Sequence, residues 1–144
     1  MHIDPPSKTD QGPASQFTGD VYLTPIHPTQ EGSRLRISLV RFTPGARTHW
    51  HSHANGQTLF VTDGIGLVVS RDRKSREWTV IVIKPGDSIW TPRKEEHWHG
   101  GTADSMMCHL AMLEEDPDIA ATTWLEPVTD DEYRAAISLA SDWE

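Results

Sequence analysis

Cysteine is nearly absent from this sequence: Cys108 is the only one in 144 residues. No internal disulfide is available, so nothing calls for an oxidising compartment. Long apolar runs are lacking too. No stretch approaches the ~20 apolar residues of a membrane span, and Met1 to Gln16 hold no apolar core of a secretion signal. A cytoplasmic protein without a membrane partner is therefore expected. Positive charge is scarce, with thirteen Lys plus Arg against twenty-one Asp plus Glu and a formal charge of −8. Such a field repels polyanions, which argues against nucleic acid as a partner.

The length is that of one domain with a single core. Residues 1–16 are rich in Pro, Ser, Asp and Gln and have little to bury, so a flexible arm is expected there, followed by one domain over residues 17–144. From Gly19 onward, short runs of strand-forming residues alternate with turn signals, the pattern of an all-β barrel or sandwich. Strands are predicted over 21–27, 35–42, 48–53, 58–62, 65–70, 78–84, 88–90, 97–99 and 106–113. The turns are Thr43-Pro44-Gly45, Asp63-Gly64, Arg71 to Lys74, Lys84 to Asp87 and Gly100-Gly101. Near the end, Thr129 and Glu132 have capping-box spacing, and Tyr133, Ala136, Ile137 and Ala140 recur at helical intervals. One amphipathic helix over 130–140, packed on the outside, is predicted.

Histidine is abundant, with eight residues. Six of them, His49, His51, His53, His97, His99 and His109, fall in two clusters and one outlier. In a strand, the alternation of side chains puts His49, His51 and His53 on one face and Thr48, Trp50 and Ser52 on the other. His97 and His99 repeat this alternation, and Gln57 follows the first cluster across Asn55-Gly56. A lone buried imidazole is usually satisfied by a backbone carbonyl. Several that converge would repel one another if protonated, so a bound cation is the better solution. Three His and one Gln offer a mixed nitrogen and oxygen set for a divalent first-row metal, with positions left for water or substrate.

These residues carry a family resemblance. Gly45, five residues, His51-Ser52-His53, three residues, Gln57, six residues and Gly64 resemble the first cupin motif, with Gln57 in the usual Glu place. Gly86, five residues, Pro92 and His97 resemble the second motif, with Lys94 in its Gly place and Gly101 in its Asn place. The resemblance covers roughly residues 19–113. It implies a single-domain cupin, a jelly-roll-like β-barrel, with the metal held by His51, His53, Gln57 and His97. The stretches FTPGARTHWHSHANGQTLFVTDG, HWHGG, MMCHLAM and VTDDEY further resemble small bacterial monocupins that include manganese-dependent hydroxynitrile lyases. Manganese is thus the metal implied, one ion per chain, with iron, zinc and nickel as alternatives. The resemblance also implies a homodimer acting on a small molecule, with His109 in the chemistry beside the metal.

Gln57 cancels none of the metal charge that a Glu would, so the site keeps a formal +2 and suits an alkoxide, hydroxide or cyanide. The resemblance to the lyases implies a reaction in which neutral His109 or His99 accepts a hydroxyl proton as a C–C bond breaks. His49, Ser38 and Val40 are candidate pocket walls, while Met106, Met112, Leu59 and Val61 read as inward core. Trp50, Trp78, Trp90 and Trp98 read as outer-face packing or a dimer interface, and the acidic stretch Glu114 to Asp116 as a solvated loop. Two other readings stay open: a three-His iron dioxygenase, and a non-catalytic metal or small-molecule binder.

Overall fold

A computed structural model describes residues 1–27 and 30–141; residues 142–144, the end of the expected domain, lie outside the described residues. In chain order the elements are β1 (Asp10–Gln11), β2 (Phe17–Thr18), β3 (Val21–His27), β4 (Leu35–Phe42), β5 (Arg47–Thr48), β6 (His51–His53) and β7 (Gln57–Gly64). They continue with β8 (Gly66–Arg71), β9 (Trp78–Ile83), β10 (Ser88–Thr91), β11 (Glu96–Gly101), β12 (Met107–Glu114), β13 (Thr122–Trp124) and α1 (Asp130–Ser141). A six-stranded sheet runs β1-β3-β4-β12-β7-β10. The seven-stranded sheet runs β13-β6-β11-β5-β2, with β8 pairing β11 and β9.

The fold is the expected β-barrel with one C-terminal helix, and its two layers explain the apolar pattern. Val40, Phe42, Leu59, Val61 and Met107 from the first sheet meet Phe17, Val68 and Ile83 from the second to form the barrel core. Leu67 and Val69, flanking Val68, point the other way and join Trp50 and Trp98 beneath Val128, Tyr133, Ala136 and Ala140. An unbroken run such as Leu67-Val68-Val69 is what a strand buried on both faces requires. The protein's own helix therefore covers Trp50 and Trp98, whereas Trp90 is 60% exposed. The capping box closes as its spacing predicts: Glu132 N–H donates to Thr129 Oγ1 at 3.1 Å, and Thr129 N–H to Glu132 Oε1 at 3.0 Å.

Several expectations are corrected. The strand over 48–53 is split into β5 and β6, because the His49 N–H turns to the Gln16 carbonyl at 2.8 Å and the Trp50 N–H to the Glu126 carbonyl at 3.0 Å. Gly100 and Gly101 are not a turn but the end of β11. The glycine there admits a close neighbour, since a Cβ on Gly100 would lie 2.4 Å from the Ala46 carbonyl oxygen. Asp10 and Gln11, inside the expected arm, pair with Leu23 and Tyr22 through backbone bonds that need no apolar burial. On β12 it is Met107 that is fully buried, while Met106 is exposed and Met112 half-buried. With His109 inward, Met106 and Met112 have the opposite parity.

Lys94, in the Gly place of the second motif, has φ 63°. Its N–H still anchors the end of β6 by donating to the His53 carbonyl at 2.9 Å. A side chain is disfavoured in that left-handed region by about 1 kcal/mol. Lys94→Gly should therefore raise the unfolding free energy from urea titration by about 1 kcal/mol; a lower value would show that the lysine side chain contributes contacts that outweigh the backbone cost.

Candidate metal centre

β6 and β11 lie side by side, with His51 opposite His97 in register. Alternation then sends His51, His53, His97 and His99 to the same inner face. Gln57 opens β7 in the other sheet, where Gly56, at φ 76°, lets the chain turn between the two. One ring nitrogen from each of His51, His53 and His97 falls in a set lying within 4.8 Å of one another. Ring centroids are 4.2 Å apart for His51 and His97, and 4.9 Å for His51 and His53.

The Nδ1 atoms of these three rings are already engaged. Those of His51 and His97 donate to the carbonyls of His49 and Glu95, each at 2.9 Å, and that of His53 meets Thr122 Oγ1 at 3.1 Å. A proton on Nδ1 leaves Nε2 of a neutral imidazole as a lone pair. His53 Nε2, His97 Nε2 and Gln57 Oε1 are buried with no hydrogen-bond partner. All are acceptors, and a bound cation satisfies several such lone pairs at once. Burial disfavours the proton: it pushes His53 and His97 down to about 4, and holds His51 well below its ordinary value with help from His97 and His53. Two ligand atoms bonded at about 2.1 Å to one ion lie no more than about 4.2 Å apart, so the three-His set needs only small adjustments to share one. These residues fit a divalent metal.

The centre forms one part of a cavity of about 1080 Å³. Ser38 and Val40 line it as expected, together with apolar Phe17, Leu23, Ala111 and Trp124. His49 does not line it; the break between β5 and β6 puts Thr48 on the cavity side instead, and Thr48 Oγ1 accepts the His99 N–H at 3.2 Å. His99 lines the cavity, whereas fully buried His109 stands behind it, with His109 Nε2 3.0 Å from His99 Nδ1. Burial pushes His109 down to about 3 and holds His99 well below the usual imidazole range. Glu115 and Asp116, expected in a solvated loop, line the cavity as well, and Glu115 pairs with Arg36. Cys108 is buried on β12, its thiol raised by burial.

Phe17, Leu23, Thr48, Ala111, Thr122 and Trp124 line the cavity and were missed by sequence reasoning. Thr122 and Trp124 lie about seventy residues from the histidines they touch, and no motif joins them. Thr48 shares the parity of Trp50, so alternation hid it, and only the break between β5 and β6 turns it to the cavity.

The cupin domain family matches residues 38–113, more than half of the chain and including all four expected ligands. This chain belongs to the cupin family. The (R)-mandelonitrile lyase of Granulicella tundricola is 41% identical over 124 residues, covering 86% of this cupin and 90% of that enzyme. A cupin-like protein of Thermotoga maritima superposes with a TM-score of 0.79 at 33% identity, over 94% of this chain and 97% of that one. The polyketide cyclase RemF of Streptomyces resistomycificus, at a TM-score of 0.60 and 18% identity over 82% of each chain, shares the fold alone. Among the described residues, no helix is long and apolar enough to cross a membrane.

The buried imidazoles predict how the metal-free cupin responds to acid. His53 and His97 titrate near 4 when folded but near 6.5 when unfolded, so below 6.5 the unfolded chain binds the extra protons. Stability should be full above that value and fall by roughly 3 kcal/mol per group as the pH drops from 6.5 towards 4. Thermal midpoints in chelator across this range measure it, and a flat profile would contradict the burial of these rings.

Proposed function

We propose that this cupin is a metal-dependent lyase that cleaves, and in reverse forms, cyanohydrins of the mandelonitrile type. The observation that carries the reading is the match to an (R)-mandelonitrile lyase over 86% of the chain, with the cluster of acceptor atoms inside the matched region. His51, His53, His97 and Gln57 would hold the metal. Manganese is the ion that the family resemblance implies, and the same nitrogen and oxygen donors also accept iron, zinc or nickel. A divalent metal bound there supplies Lewis-acid charge for negative charge developing on the substrate.

The chain's own residues do the rest. Of the two candidate bases, His99 lines the cavity and His109 does not, so His99 is the catalytic residue and His109 the positioning residue. When His99 Nδ1–H donates to His109 Nε2, across the 3.0 Å contact, the unpartnered Nε2 of His99 carries the lone pair. Burial keeps that imidazole neutral at neutral pH, ready to accept a proton. The cyanohydrin hydroxyl gives its proton to His99 Nε2, the C–CN bond breaks as the carbonyl forms, and the departing cyanide takes the proton from His99 as HCN. Phe17, Leu23, Val40, Ala111 and Trp124 provide apolar walls for an aryl group.

The homodimer belongs to this proposal too, supported by exposed Trp90 and Phe60 on β10 and β7 of one sheet; sedimentation as a single chain would remove it. Turnover is tested by release of aldehyde and cyanide from mandelonitrile by the manganese-loaded protein. His99→Ala should keep its metal and lose about 10²–10⁴-fold in turnover. Unchanged turnover would dismiss His99 as the base. Stoichiometric metal with no cleavage by the unaltered protein would dismiss the lyase reading and favour an oxygen-dependent or binding role.

A further inference from the structure

We propose that Thr122, which lies outside the stretch matched to the cupin domain, is a positioning residue for the metal ligand His53, and that β13 is thereby a working part of the metal centre. This rests on the reading of His51, His53 and His97 as ligands.

The three ligand rings are not fixed in the same way. His51 and His97 each donate Nδ1–H to the carbonyl of the residue two positions earlier on their own chain segment, His49 and Glu95. Those acceptors are backbone, present whatever side chain stands at 49 or 95. At His53 a side chain takes that place, with the Thr122 hydroxyl 3.1 Å from Nδ1. The Ala121 carbonyl, which receives the Ala54 N–H at 2.9 Å and has a second lone pair, also hydrogen-bonds the His53 ring, so Thr122→Val tests what the hydroxyl adds to it. Both come from the same C-terminal segment.

That segment is held in place along its length. β13 pairs antiparallel with β6 so that Thr122 stands opposite His53 and Trp124 opposite His51. The Trp124 ring lies 4.8 Å from the His51 ring and inclined by 30°, covering a second ligand. Beyond the strand, Leu125 N–H donates to the Trp50 carbonyl at 2.8 Å. Glu126 pairs with the Arg71 guanidinium at 2.6 Å, and the Val128 carbonyl accepts from Arg47 at 2.9 Å. The hydroxyl is therefore presented to His53 by a strand that cannot easily withdraw. As acceptor, it keeps the proton on Nδ1 and leaves Nε2, buried and otherwise unpartnered, to face the metal.

Thr122→Val keeps the branched shape and the strand pairing but removes the acceptor, whereas Thr122→Ser restores an oxygen at the same position. Manganese(II) affinity, measured by competition with a fluorescent chelator, should fall by about 10–100-fold in T122V and return close to the wild-type value in T122S. The urea midpoint of the metal-free protein should be the same in all three. Equal affinity in T122V and wild type would overturn the proposal, as would a T122S variant as weak as T122V, which would mark a packing effect. If T122V fails to fold, T122A is read in its place by the same criteria. His53→Ala serves as the reference for loss of the ligand itself. A wild-type protein that binds no manganese would overturn the metal reading, and this proposal with it.

Discussion

Two ring nitrogens and an amide oxygen without partners, sealed inside a barrel, set the terms for the rest of this molecule. Buried acceptors without donors are costly, and here the proton that would satisfy them is opposed by burial and, at His97, by neighbouring His53. The scaffold must therefore hold several rings by their Nδ1 atoms while their Nε2 atoms converge. It does so mainly with backbone carbonyls, which cannot be lost by substitution. Gln57 completes the set without adding negative charge, so an ion bound there would keep its full charge towards a substrate. In a chain of formal charge −8 the four candidate ligands are neutral, while Arg36, Glu115 and Asp116 line the same cavity.

The scaffold achieves this convergence by being buried on both sides of one sheet. The inner face of β6, β8 and β11 carries the ligands and the barrel core, and the outer face carries Trp50, Leu67, Val69 and Trp98 beneath α1. Arg71 lies over the Trp50 ring at 4.1 Å while pairing with Glu96 and Glu126, and Arg47 lies over Tyr133 at 4.7 Å while binding Asp130. These two arginines fasten the C-terminal segment across the back of the ligand strands. α1 and this segment lie beyond residues 38–113, so the packing behind these strands comes from outside the matched domain.

Much of this was legible in the sequence, for reasons that are physical. Strands β3 and β4 have the predicted bounds, and the capping box marked the start of α1 because two reciprocal bonds need that spacing. The clustering of His51, His53 and His97 was legible because two His-x-His pairs on strands can face only one way. His49 was misplaced for the same reason: strict alternation was carried through a segment whose N–H groups leave the sheet for Gln16 and Glu126. The short strands β1, β2 and β13 had no apolar period to betray them, since backbone pairing with distant partners defines them. The roles of Thr122 and Trp124 depend on that long-range pairing and could not be read locally.

The central claim is that His51, His53, Gln57 and His97 share one ion. Anomalous diffraction at the manganese edge, from crystals grown with manganese(II), tests it most directly. The account predicts a single strong peak per chain within bonding distance of the His51, His53 and His97 ring nitrogens and of Gln57 Oε1. No peak among these four side chains, or a peak bound elsewhere on the chain, would contradict it.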